Sequence, residues 1–116
     1  VYPKQSSILR FNFIKNFSPT ASNPSAKHIR INNATYSSAT EIYISNRNID
    51  SVYVDAYLAR AKNGSIVTIV ASRYKYIVFA LSADAANMTG WIRYTGSIVT
   101  SSGDFSDEEI VTLNFN

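Results

Sequence analysis

The chain has 116 residues, 46% of them hydrophobic and only 16% charged, with a formal net charge of +3 and no cysteine. That is enough for one domain, which would bury roughly two-thirds of the surface its unfolded chain exposes, and it excludes disulfides and thiolate metal sites. Lys and Arg are scattered in isolated pairs such as Arg60/Lys62 and Arg73/Lys75, so the basic stripe of a nucleic-acid binder is missing, and no stretch approaches the roughly 18 consecutive apolar residues of a membrane-spanning helix.

In chain order, Leu9, Phe11 and Phe13 alternate with Arg10, Asn12 and Ile14 and read as a first strand. The loop from Asn16 to Ala26 follows, with Pro19 and Pro24 among Ser, Thr and Asn. It cannot order itself as a regular element, so it either crosses between two sheets or lies on a neighbouring chain. Ile29 and Ile31 alternate with His28, Arg30 and Asn32, and Ile42 and Ile44 alternate with Glu41, Tyr43 and Ser45. Both runs read as half-buried strands.

From Asp50 the period changes. Val54, Tyr57, Leu58 and Ala61 share one helical face, Asp50 is a suitable N-cap and Asn63-Gly64 a suitable stop, which predicts one short helix. The competing reading is a strand, since Val52 and Val54 are β-branched and alternate with polar neighbours.

After Gly64 come SIVTIVAS and KYIVFALSA, apolar at nearly every position, as expected of central strands covered on both faces. Beyond the turn Asp84 to Gly90, Ile92, Tyr94 and Ile98 alternate with Arg93, Thr95 and Ser97, and after Ser101-Ser102-Gly103 a last strand puts Val111, Leu113 and Phe115 on one face. Short turns predict antiparallel neighbours. The expected fold is mainly β, a small antiparallel β-sandwich or partly open barrel of about seven strands with one short helix, as a single domain over residues 1–116. Its apolar strand faces would form the core, Phe79 and Phe115 included. The low charge and apolar excess predict that part of the surface is covered by another chain. A start at Val1 and an end inside a strand-like run at Asn116 read as a piece cut from a longer polypeptide.

Little in the chain carries covalent chemistry. His28 stands between Lys27 and Arg30 with no carboxylate near in sequence to orient it, and reads as an ordinary exposed histidine. Asp104, Asp107, Glu108 and Glu109 could ring a calcium ion, but their spacing matches no EF-hand loop, and a solvated turn that discourages edge pairing is the better reading. Trp91, Tyr94, Tyr74 and Tyr76 fall near strand ends that turns could bring together, and are the candidate glycan-binding rings, although such residues also fill cores. The sequons at Asn16, Asn33, Asn63 and Asn87 matter only in a eukaryotic secretory setting. A phosphate-binding Gly-rich loop, a nucleophile elbow and HExxH are all missing, so neither an enzyme nor a catalytic residue, cofactor or metal is expected.

The segment NPSAKHIRINNATYSSATEIYIS resembles a recurring module of tailed-bacteriophage tail fibre and tailspike proteins, with the match at Lys27 to Ala34 and Ala39 to Ser45. The similarity continues in the same order through SRYKYIVFALS, NMTGWIRYTGSIVT, SSGDFSD and EEIVTLNF, and covers most of residues 24–116. The chain departs from the module at its front and in SIVTIVAS, which is more apolar than the Asp- and Lys-containing version. The surface around Thr68 therefore faces either solvent or a partner. The resemblance implies a homotrimeric structural virion protein, located in the phage tail and so extracellular, that links or anchors the fibre for host attachment and contacts other tail proteins. No nucleic acid and no membrane insertion are expected. The alternative is a carbohydrate-binding module for host surface glycans, and a capsid decoration or neck protein is a third reading.

Overall fold

One strand is long enough to pair with a different neighbour along each half of its length, and it closes the molecule into a ring. The computed structural model describes residues 8–115, so the reading drawn from Val1 and Asn116 falls outside it. The elements are β1 (Arg10–Phe13), β2 (His28–Ile31), β3 (Glu41–Ser45), α1 (Asp55–Leu58), β4 (Ile66–Ser72), β5 (Lys75–Leu81), β6 (Ala86–Asn87), β7 (Trp91–Ser102) and β8 (Glu109–Phe115). Trp91–Thr95 of β7 pair with β3, and Gly96–Ser102 pair with β5 on the opposite edge. The ring runs β3-β2-β1-β8-β4-β5-β7 and back to β3, a closed seven-stranded barrel with the two-residue β6 added to β7. The hand-over needs Gly96, because a Cβ there would lie 1.9 Å from the Ala80 carbonyl oxygen. A bulge at Val99, opposite Val78 and Phe79 of β5, lies further along the same strand pair and adds the local bend that closure requires.

Alternation sets the core. Phe11 faces Val111, Ile69 faces Leu113 and Ile77, Ile42 faces Tyr94, and Ile44 faces Ile29 and Ile92; all of them are buried. A closed ring has one inside, so period-two patterning puts every second side chain there. Phe79 belongs to this core, but Phe115 is 37% exposed at the end of the barrel, its ring edge-on to Tyr94 at 6.2 Å, and the expectation of equal core roles is corrected.

Two further expectations change. Not every neighbour is antiparallel: β1 and β2 run parallel, in register Asn12 to His28, because the segment 14–27 is a crossover within one barrel and not a link between two sheets. The helix spans only Asp55–Leu58 and begins after Val54, not at Asp50. The buried Asn48 prevents the longer helix: its Oδ1 accepts from Asp50 N and Val52 N at 2.9 and 3.0 Å, and its Nδ2 donates to the Ile8 carbonyl at 2.9 Å. A side chain that satisfies local backbone amides competes with helix formation, and here the loop wins.

The ends of the barrel are plugged differently. At one, Phe13, Phe17, Tyr36 and Phe105 form an aromatic cluster with Phe13 and Phe105 only 4.8 Å apart. At the other, Leu58 of α1 and Ala61 close the core, and the Tyr94 hydroxyl donates to the Leu58 carbonyl at 2.7 Å.

Candidate functional site

The outer surface reverses what the strand patterns imply. The mixed runs of β2 and β3 are buried on both faces from Ile29 and Ile42 onward. Their outer side chains lie beneath the crossover, whose carbonyls are gathered by Arg30: Nη1 donates to Ser18 O at 2.8 Å, and Nη2 donates to Thr20 O at 2.7 Å and Ser22 Oγ at 2.8 Å. The guanidinium is only 1% exposed and lies over the Tyr43 ring. Burial lowers its pKa from the ordinary value, and carbonyl dipoles together with the ring face replace the water it has lost. The crossover thus lies on its own barrel.

The apolar runs of β4 and β5, expected to be covered on both faces, are covered on one. Their inward residues Val67, Ile69, Ile77, Phe79 and Leu81 are buried, while Ile66, Thr68, Val70, Tyr76, Val78 and Ala80 are half-exposed outside. Register aligns this outer row with Thr112 and Asn114 of β8 and Thr100 of β7, and Ile110, 45% exposed, continues it. No formal charge stands among these residues.

The four rings expected to bind glycan do not come together. Tyr94 is fully buried inside the barrel, on the same alternation as Ile92. Trp91 is 8% exposed and packs edge-on against Tyr43 at 5.6 Å. Tyr74 stands exposed at the β4–β5 turn beside Arg73, and Tyr76 lies on the outer face of β5. The parity shared with Ile92 already marks Tyr94 as inward. Trp91 packs instead on a ring from a distant strand, β3.

His28 is not an ordinary exposed histidine. Its Nε2 lies 3.1 Å from Glu108 Oε1, a partner 80 residues away, and its Nδ1 is buried with no hydrogen-bond partner among the described residues. The other acids of the 104–109 turn diverge. Asp104 meets Lys15 Nζ at 3.2 Å and accepts from the Tyr36 hydroxyl at 2.7 Å, Asp107 accepts from Lys15 N at 2.9 Å, and Glu109 meets Lys75 Nζ at 3.2 Å. The Tyr36 hydroxyl and then Lys15 hold the Asp104 carboxyl below its ordinary range, and the Ser106 amide and then Lys75 do the same for Glu109. The turn is pinned to the barrel, with Asp104 and Asp107 on Lys15, Glu108 on His28 and Glu109 on Lys75.

One concavity stands out at the α1 end. A cleft of about 340 Å³ is lined by Leu9, Tyr57, Arg60, Ala61, Ser65 and Phe115. These residues come from three separated parts of the chain, so no local motif announces them.

Fold and surface together define a small closed β-barrel with one outer face shielded by its own crossover and another left uncharged and open. Compared with protein-family models, curated proteins and solved structures, the chain has no significant match.

Proposed function

We propose that this chain is a non-enzymatic structural module of a phage tail fibre or tailspike, assembling as a homotrimer through the outer face of β8, β4, β5 and β7. The supporting observation is the uncharged, half-exposed row Ile66, Thr68, Val70, Tyr76 and Val78 on strands whose inward residues are already buried. Adjacent strands about 4.8 Å apart, each showing about six residues at ~3.3 Å, present a face of roughly 400 Å². A face of that size matches the largest patch of a typical monomer, which is often functional. Lack of charge suits contact with identical copies, since like faces then meet without repulsion. The phage assignment comes from the resemblance of residues 24–116 to the fibre module.

Light scattering coupled to size exclusion tests the assembly. A mass three times that of the chain, held on dilution, is the expected result; a monomer at every concentration overturns it.

A further inference from the structure

We propose that the cleft at the α1 end of the barrel binds an acidic saccharide, a pyranose carrying a carboxylate, independently of the assembly through the outer sheet face. Leu9 and Ala61 supply its apolar lining, Ala61 from the core and Leu9 packed against it. Tyr57 and Phe115 line it as rings 48% and 37% exposed. Large rings left open to solvent beside a concave surface supply flat apolar faces with a polar tip, the shape that matches the C–H face of a sugar. Among the described residues, Arg60 is the one formally charged member of the lining, and it has no ion-pair partner. One guanidinium fork matches one carboxylate, and a di- or triphosphate would call for more cationic groups. The hydroxyls of Ser65 and Tyr57 add donors and acceptors for ring hydroxyls. Barrel mouths are a recurrent place for such sites, and 340 Å³ is at the small end of the ~300–1,000 Å³ range of ligand pockets, fit for one or two sugar units.

Amide chemical shifts of the whole chain, followed by NMR during titration with trigalacturonate, test the proposal, with maltotriose and acetate as comparison ligands. The expected result is saturable shifts confined to Tyr57, Arg60, Ala61, Ser65 and Phe115, with maltotriose and acetate each at least about tenfold weaker. Arg60→Gln and Tyr57→Ala should each weaken trigalacturonate binding by roughly tenfold, the loss of one charge-assisted bond or one stacked ring. Both side chains are solvent-exposed, and the same spectra report whether each variant keeps its fold. Shifts that never saturate, shifts centred elsewhere, equal binding of maltotriose, or full affinity in folded Arg60→Gln would overturn the site. The mass of the same samples reads out assembly separately, so failure of the cleft and failure of the trimer are distinguishable.

Discussion

Arg30 lies over Tyr43 with its guanidinium carbon 4.3 Å from the ring centroid, and both side chains are buried on the outside of the barrel. Tyr43 in turn hydrogen-bonds Glu41 and packs against Trp91, so one cation organises the crossover above it and the aromatic layer beneath. Arg30→Ala should strand the Ser18 and Thr20 carbonyls and the Tyr43 face, at a cost of about 2–4 kcal/mol. Arg30→Lys should recover little of this, because an ammonium cannot span the same fork of acceptors. Urea denaturation measures the loss, and proteolysis within 16–26 should accelerate in both variants. Wild-type stability in Arg30→Ala would show that the crossover is held by something else.

Phe79 and Phe115 should separate in stability. Phe79→Ala removes a fully buried ring and should cost about 3–5 kcal/mol. Phe115→Ala, at a ring already 37% in solvent, should cost less than half as much. Equal losses on thermal and urea unfolding would contradict the barrel-end position of Phe115.

Closure of the ring rests on Gly96. Gly96→Ala drives a methyl into the Ala80 carbonyl, so the strand pair must separate locally. The expected cost is about 1–3 kcal/mol, with faster amide exchange at Ser82, whose amide donates to the Thr95 carbonyl of β7 beside the hand-over. Unchanged exchange at Ser82 would mean that β5 and β7 approach less closely.

Alkaline pH should destabilise the fold. Burial, aided by the hydrogen bond to Glu41, pushes the Tyr43 phenol from its ordinary 10.0 up to about 12. Burial also raises Tyr36 and Tyr94. In the unfolded chain these phenols ionise first, so the stability held by their neutral native forms is complete below pH 10 and is lost as pH rises through about 12. Phenolate absorbance of Tyr43 should therefore develop late, coincident with loss of circular dichroism. Ionisation of the buried phenols well before that loss would count against the burial.

The outer face of β5 offers a direct probe of assembly. Val78→Lys places a charge at the centre of the row, opposite Thr68 and Thr100, where the side chain is half-exposed and the monomer can tolerate it. Conversion of a trimer to a folded monomer is the expected outcome. An unchanged trimer would move the interface away from this face.

Strand positions and the composition of the core were legible in the residues themselves, because alternation is local: Phe11/Phe13, Ile29/Ile31, Ile42/Ile44 and Val111/Leu113 each declare an inside without reference to the rest of the chain. What covers the outside depends on contacts between distant segments. Arg30 folds the crossover onto β2 and β3, so mixed polar strands are buried twice over, while the more apolar β4 and β5 keep an open face. Other non-local contacts join His28 to Glu108 and assemble the Arg60 cleft, whereas the helix is stopped by the local hydrogen bonds of Asn48. Sequence alone determined a small β-rich core with one inside, since period-two burial is written residue by residue. Only the tertiary structure decided ring closure, the parallel β1–β2 pair and which outer face stays bare, because those follow from where a long crossover and a twelve-residue strand come to rest.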